Sequence, residues 1–252
     1  MDAQISGEAE EQGVRRIEFT IPRPEPVPGI LWVPAGAPGE RPLVLLGHGG
    51  GMHKGAPGML GMSRALTRGP CYAAVAIDLP LHGDRVPEQE RGLSPRERRQ
   101  RLGLDAWRAR NDQSLPQALA DWTATLDALR SAGLAGSGPV GYFGVSMGTR
   151  FGVPLVAAEP RICAAVLGLF GCSDENSVLG QAARKVTVPL LYLLQWDDEL
   201  FPRADGLMLF DLLGSRAKTM HANPGGHLGV PRAEYEGVAG FFRRHLGGAA
   251  AG

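Results

Sequence analysis

A serine between two glycines is the first feature of this sequence that could do chemistry. The pentapeptide Gly144–Gly148 follows the apolar run 140–143, and Met147 begins a segment in which a helix is expected. A sharp turn from a strand into a helix exposes a serine hydroxyl for attack on a carbonyl, and small flanking residues let the backbone turn tightly. The spacing therefore predicts that Ser146 is a nucleophile.

A second glycine-rich segment could stabilise the charge that such an attack creates. His48-Gly49-Gly50-Gly51 follows the apolar run 43–46. Glycines let backbone N–H groups approach a developing oxyanion, and the residue after the nucleophile supplies another N–H. We therefore expect the amides of Gly50 and Met147 to form an oxyanion hole. His48 is expected to brace this loop and not to act as a base.

A serine hydroxyl also needs a base and a carboxylate that orients the base. Acidic residues occur in the segment Trp196–Pro202, directly after a predicted strand, and His227 ends the turn Asn223–His227 after the next predicted strand. The turn residues before His227 leave it free to reach the end of the sheet. The order serine, aspartate, histidine predicts a triad, with Asp197 and Asp198 both candidates for the acid.

The elements that must position these residues alternate along the chain. Apolar or alternating runs predict strands at 14–21, 30–33, 43–46, 73–77, 140–145, 162–170, 188–195 and 218–222, and helical periodicity predicts helices at 115–130, 147–159, 204–213 and 232–245. The strand at 14–21 alternates as an edge strand would. The pattern predicts an α/β fold with a mostly parallel central sheet of about eight strands, an antiparallel start, and helices on both faces.

The predicted domain spans residues 14–246, with flexible tails at 1–13 and 247–252. A short insertion follows the fourth strand at residues 85–112, and its first 26 residues, 85–110, hold eight arginines and four acids. We interpret this segment as a lid or a connecting insertion. A docking surface for an anionic group is the alternative.

Composition excludes several classes of protein. The 252 residues carry 26 Lys and Arg against 26 Asp and Glu, so no global attraction to nucleic acid or to an anionic membrane is expected. The three cysteines have no CxxC spacing, which argues against a disulfide framework or a zinc site. The acidic N-terminus and the lack of a long apolar run favour a cytoplasmic protein.

The segments GHGGG, GVSMG, WDDELFP and NPGGH together resemble the α/β-hydrolase superfamily, over roughly residues 14–246. The segment Asp78–Arg85 is similar to the loop after the fourth strand in dienelactone-hydrolase-like and prolyl-oligopeptidase-like serine esterases. In that family the acid commonly begins a DxxVP-like turn, which Asp198–Pro202 fits with Phe for Val, so the resemblance favours Asp198 over Asp197. Dienelactone hydrolases proper have a cysteine where this chain has Ser146, which favours ordinary ester hydrolysis.

The resemblance implies a serine esterase with the triad Ser146, Asp198 and His227, which forms an acyl-enzyme and needs no cofactor or metal. Because the insertion is short, we expect a small-molecule ester with a short to medium acyl group. Four residues are expected to contact substrate: Gly51, Met52, His53 and Asp78. An acyl-peptide or amide hydrolase is the alternative, and a non-catalytic binding module is less favoured. A homodimer is compatible with this reading.

Overall fold

The apolar runs of the sequence form one mixed β-sheet. The computed structural model describes residues 2–36 and 40–247, and within them nine strands pair in the order β1-β2-β3-β5-β4-β6-β7-β8-β9. The strands are β1 Gln4–Glu11, β2 Val14–Ile21, β3 Val27–Pro34, β4 Leu43–Gly47, β5 Ala73–Ile77, β6 Val140–Gly144, β7 Ile162–Gly168, β8 Leu190–Gln195 and β9 Lys218–Asn223. The first four strands of that order pair antiparallel, and all later pairs are parallel. The predicted α/β class and antiparallel start are confirmed.

Helices cover both faces of this sheet. They are α1 Pro57–Arg68, α2 Pro95–Leu102, α3 Leu104–Gln113, α4 Leu115–Ser131, α5 Met147–Ala158, α6 Val178–Ala183, α7 Arg203–Leu212 and α8 Ala233–Leu246. Side chains of β4 alternate between two buried clusters, because successive residues of a strand point to opposite faces. Leu45 packs in the cluster that holds Trp122 of α4. Leu46 packs in the cluster that holds Met59 of α1 and Phe242 of α8.

Helix α5 continues through Pro154, where the sequence predicts a kink or an interruption. Proline in a helix interior removes one hydrogen bond, but the helix is apolar and most of its residues are buried. Packing against the sheet therefore outweighs the local preference. The sequence analysis predicts no helix over residues 57–68, where Gly58 and Gly61 lower the helix propensity. Helix α1 forms because Met59, Met62 and Leu66 bury one face.

The N-terminal segment differs from its prediction. Residues 1–13 are expected to be an irregular tail, but Gln4–Glu11 form the edge strand β1, so β2 is an inner strand. Gln12 and Gly13 both have positive φ, 53° and 73°, which suits a two-residue hairpin turn. Most β1 side chains are exposed, so backbone pairing forms this strand without a hydrophobic pattern in the sequence. The predicted C-terminal tail falls mostly on residues 248–252, outside the described residues.

The insertion after β5 is held to the domain by a buried ion pair. It contains two short 3₁₀ turns, Gly83–Arg85 and Glu88–Glu90, followed by α2 and α3. Arg85 Nη1 lies 2.8 Å from Asp121 Oδ2 on α4, and the side chains are 5% and 0% exposed. Breaking a buried pair leaves an uncompensated charge, so this contact fixes the start of the insertion.

Helix α2 lies against the glycine-rich loop that follows β4. Ser94 and Glu97 form a capping box that begins the helix, with Ser94 Oγ accepting the Glu97 N–H at 3.2 Å. A Cβ placed on Gly51 would lie 2.2 Å from Cγ of Pro95 in the first turn of α2. The insertion therefore forms one border of the region where the sequence predicts an oxyanion hole.

A buried histidine joins that loop to the loop after β5. The His48 side chain is fully buried; its Nδ1 lies 2.9 Å from the Gly49 carbonyl, and its Nε2 accepts the Leu79 N–H at 3.1 Å. These contacts require a neutral ring that donates from Nδ1. Burial, and secondarily the neighbouring His82, lowers the pKa of His48 from 6.5 to about 3. The predicted bracing role of His48 matches these contacts.

This histidine makes the stability of the fold depend on pH. In the folded protein His48 stays neutral well below pH 6.5, whereas in the unfolded chain it takes up a proton there. Below pH 6.5 the unfolded state therefore binds more protons than the folded state. The contribution of His48 to the free energy of unfolding is complete above pH 6.5 and is lost as pH falls towards about 3. We expect the free energy of unfolding, measured in urea from pH 7.5 to 5, to fall less steeply with decreasing pH in His48→Gln than in the wild type. The two slopes should differ by up to about 1 kcal/mol per pH unit.

The matched control is His53→Gln, because the His53 ring is exposed on the same loop. Its unfolding free energy should follow the wild-type pH dependence. An unchanged slope in His48→Gln would show that His48 does not carry this dependence.

Candidate active site

The serine of the GxSxG segment lies on a strained turn between β6 and α5. Ser146 has φ 57° and ψ −122°, a conformation that L-residues rarely adopt. A Cβ on Gly148 would lie 2.3 Å from the Gly47 carbonyl oxygen, and one on Gly144 would lie 2.7 Å from the Gly148 oxygen. Backbone atoms therefore approach positions 144 and 148 too closely for any side chain, so both must be glycine. The sequence analysis predicts glycine at these positions for the same reason.

Hydrogen bonds to β7 hold this turn in place. The Ser146 N–H donates to the Gly168 carbonyl at 2.9 Å. The buried Thr149 hydroxyl accepts the Gly168 N–H at 2.7 Å and lies 2.8 Å from the Gly144 carbonyl. Thr149 thus joins the end of β6 to the end of β7. Sequence analysis missed Thr149, because a lone threonine in an apolar helix gives no local signal of this contact.

The structure brings the imidazole of His227 between Ser146 and Asp198. His227 Nε2 lies 3.0 Å from Ser146 Oγ, and His227 Nδ1 lies 2.7 Å from Asp198 Oδ2. The side chains of His227 and Asp198 are 6% and 5% exposed, so solvent competes little for these contacts. With Nδ1–H donated to the carboxylate, Nε2 is free to accept the serine proton.

The two adjacent aspartates are clearly distinguished by their contacts. The Oδ1 atom of Asp198 accepts the N–H groups of Leu200 and Phe201 at 2.8 and 3.0 Å, so its carboxylate is fixed on both oxygens. The Asp197 side chain is 65% exposed; its carboxylate accepts the Gly225 N–H at 3.4 Å and lies 3.8 Å from an Arg203 nitrogen, and it makes no contact with His227 among the described residues. The geometry therefore selects Asp198 as the partner of His227.

Two backbone amides near Ser146 are free to bind an oxyanion. A Cβ on Gly50 would lie 3.9 Å from Cβ of Met147, so the glycine-rich loop reaches the first residue of α5. Among the described residues, neither the Gly50 N–H nor the Met147 N–H donates to another protein group. Unpartnered backbone donors near the Ser146 hydroxyl are what the predicted oxyanion hole would require.

The four predicted substrate contacts have different surroundings. Gly51 has φ 75° and Met52 is 43% exposed, and both continue the loop beside Gly50. His53 is also exposed, with its Nδ1 accepting the Gly55 N–H at 3.2 Å. These three residues stay candidates for substrate contact.

Asp78 requires a correction. It is fully buried, and its carboxylate accepts bonds from the backbone N–H and the ammonium of Lys54, both at 2.8 Å, and from the Asp84 N–H at 2.9 Å. A Cβ on Gly83 would lie 2.2 Å from this carboxyl group, so the loop closes over it. Asp78 therefore joins two loops and is not exposed to a ligand. Its partner Lys54 is 24 residues away, which sequence spacing does not reveal.

Within the described ranges, no three His, Cys, Asp or Glu side chains are grouped so that they could hold a metal ion. Among the same residues, no helix has the length and apolar character needed to cross a membrane. The arginine-rich insertion 85–112 and the three cysteines take no part in the contacts among Ser146, His227 and Asp198. His221 takes no part either, and its ring contacts Glu234 of α8 at 3.0 Å.

Comparison with known proteins gives relatives only among solved structures. No protein-family model matches the chain, and no curated protein matches it. The chain is similar to a cold-adapted esterase from an Arctic intertidal metagenomic library, whose polyethylene-glycol-bound complex is 36% identical with a TM-score of 0.77. The alignment covers 98% of this chain and 100% of that one. The native structure of that esterase is 33% identical with a TM-score of 0.71, at the same coverage of both chains.

A more distant likeness supports the fold alone. The acetyl xylan esterase from Paenibacillus sp. R4 is 16% identical with a TM-score of 0.72, and the match covers 97% of this chain and 88% of that one. The alignment with the Arctic esterase, at an identity of about one third, covers nearly the whole of both chains. The chain therefore belongs to the same family of esterases with an α/β-hydrolase-like fold.

Proposed function

We propose that this protein hydrolyses carboxylic esters of short to medium acyl groups through a serine-bound acyl-enzyme. The observation that carries the proposal is the continuous contact from Ser146 Oγ to His227 Nε2, at 3.0 Å, and from His227 Nδ1 to Asp198, at 2.7 Å. This arrangement activates a hydroxyl for acyl transfer. Membership in an esterase family supports the ester as the substrate class.

In the acylation step, Ser146 Oγ forms a bond to the ester carbonyl carbon while His227 Nε2 takes the hydroxyl proton. The amides of Gly50 and Met147 bind the carbonyl oxygen as it becomes an oxyanion. When the tetrahedral intermediate collapses, the bond to the alcohol oxygen breaks and His227 donates its proton to that oxygen. The alcohol leaves, and the acyl group stays on Ser146.

Deacylation follows the same steps in reverse, with water in the place of the alcohol. His227 takes a proton from water as its oxygen attacks the acyl carbonyl, and the same two amides bind the second oxyanion. The bond to Ser146 Oγ breaks, the proton returns to that oxygen, and a carboxylic acid is released. Asp198 keeps the imidazole in the required tautomer throughout and stabilises the positive charge that forms on it.

A small apolar cavity supports the preference for short acyl groups. Its volume is ≈ 80 Å³, and its lining includes Val145, Val230, Phe143 and Leu193. Val145 directly precedes Ser146, and Val230 follows His227 by three residues. We propose that this cavity receives the acyl group, because its apolar walls favour an alkyl group and its size leaves no room for a long chain.

The first prediction concerns the nucleophile. Ser146→Ala should lower kcat on p-nitrophenyl acetate by about 10⁴–10⁶-fold, because no hydroxyl remains to form the acyl-enzyme. A fluorophosphonate should label the wild type at Ser146 and leave the variant unlabelled. Activity within tenfold of the wild type in Ser146→Ala would contradict the proposed mechanism.

The second prediction compares the two neighbouring aspartates. Asp198→Asn should lower kcat by about 10⁴-fold, because an amide in that place favours the wrong tautomer of His227. Asp197→Asn removes the same charge from the next residue and should stay within about threefold, because its carboxylate is exposed. Equal losses in both variants would assign the effect to the charge of the turn and not to the triad.

The third prediction concerns the acyl group. On p-nitrophenyl esters, kcat/KM should be highest from acetate to butyrate and fall towards octanoate. Val230→Phe should reduce the cavity and lower kcat/KM for butyrate more than for acetate. If Val230→Phe lowered kcat/KM equally for both esters, the acyl group would not occupy this cavity. Faster hydrolysis of aminoacyl anilides than of esters would favour the alternative amide hydrolase.

A further inference from the structure

The loop that carries His227 is held by polar groups from the end of β8. Within the loop 223–227, the Gln195 side-chain amide donates to the carbonyls of Gly226 and Pro224 at 3.1 and 3.4 Å. The Asp197 N–H donates to the Gly225 carbonyl at 3.2 Å. Gln195 is fully buried, so water does not compete for these contacts, and they fix the backbone of the loop.

One further carboxylate contacts His227 itself. Glu199 Oε2 accepts the His227 backbone N–H at 2.8 Å, 28 residues away in sequence. Glu199 directly follows Asp198, so a single turn after β8 holds His227 at two points, at its ring and at its backbone. The bond from the His227 N–H lowers the pKa of the Glu199 carboxyl, so the acceptor is an ionised carboxylate at neutral pH.

The glycine before His227 fits this contact. A Cβ on Gly226 would lie 2.5 Å from Glu199 Oε2, closer than atoms in contact can approach. Any larger residue at 226 would push the carboxylate away from the His227 N–H. Gly225 has a separate reason to be glycine, because its φ is 98°.

From these contacts we infer that Glu199 is a positioning residue that sets the place of His227 through its backbone. The inference rests on the proposed function, in which His227 is the base. The ring of His227 must meet both Asp198 and Ser146, and the backbone position decides whether it can reach both. A displacement of about 1 Å at a catalytic group can cost about 10²-fold in rate. Because Glu199 is exposed, water can partly take its place as acceptor of the His227 N–H when the side chain is removed. We therefore expect a smaller loss in kcat than for a triad residue.

The first test replaces the acceptor. Glu199→Ala should lower kcat on p-nitrophenyl acetate by about 10-fold with KM within about twofold, because the base is misplaced while the substrate pocket is intact. Glu199→Gln keeps an oxygen that can accept the N–H and should recover most of the lost kcat. Asp211→Ala removes an exposed acid from the end of α7 and should match the wild type.

The second test is a double-mutant cycle with Gly226→Ala. This variant changes no triad residue but should displace the Glu199 carboxylate and with it His227, so its loss in kcat should resemble that of Glu199→Ala. If both act through one contact, the double variant Glu199→Ala/Gly226→Ala should lose no more than either single variant. The melting temperature of each variant separates misplacement of His227 from unfolding.

The outcomes separate this inference from the proposed function. Full kcat in Glu199→Ala, no recovery in Glu199→Gln, or additive losses in the double variant would each overturn the inference while Ser146→Ala remains inactive. If Ser146→Ala retains activity, the proposed function itself fails. A loss in Glu199→Ala that Gln recovers and that Gly226→Ala does not increase would support Glu199 as a positioning residue.

Discussion

The site depends on one imidazole whose two ring nitrogens must each meet a side chain from a different loop. The ring of His227 lies 3.0 Å from Ser146 Oγ and 2.7 Å from Asp198 Oδ2, and it is almost fully buried. The serine follows β6, the aspartate follows β8 and the histidine follows β9. These three strands are parallel, so their carboxyl ends lie at one edge of the sheet. The parallel sheet is therefore what makes the contact available.

Close approach of backbone segments is the second constraint. A Cβ on Gly148 in α5 would lie 2.3 Å from the Gly47 carbonyl oxygen at the end of β4. A Cβ on Gly47 would lie 2.2 Å from the Tyr142 hydroxyl, which donates to the Gly148 carbonyl at 2.7 Å. The same turn keeps Ser146 in a conformation that is strained for a residue with a Cβ. Strain of this kind persists only where surrounding contacts determine the position, and Thr149 and the Gly168 carbonyl provide such contacts.

Buried polar groups hold the loops that surround the serine. His48 joins the glycine-rich loop after β4 to the loop after β5, Lys54 binds Asp78, and Arg85 binds Asp121. Each group is costly to bury alone and is tolerated because its partner is present. Such pairs are therefore better understood as devices that fix the relative positions of loops than as large sources of stability.

Features that depend on neighbours along the chain could be predicted without coordinates. Continuous apolar runs at 43–46 and 73–77 identified central strands, and the spacing of glycines around Ser146 identified a tight turn. The order of serine, aspartate and histidine, together with the family resemblance, predicted which residues the structure brings together. Local periodicity and turn chemistry act over a few residues, so they can be read without coordinates.

Features that depend on contacts between distant residues could be found only from the folded chain. The sequence predicts Asp78 as a substrate contact, but its distant partner Lys54 covers its carboxylate, and β1 forms by backbone pairing that leaves no hydrophobic pattern. Thr149 contacts Gly168, 19 positions away, and Glu199 accepts the N–H of His227, 28 positions away. The energy of such bonds depends on distance and direction in space, and neither quantity is encoded in spacing along the chain.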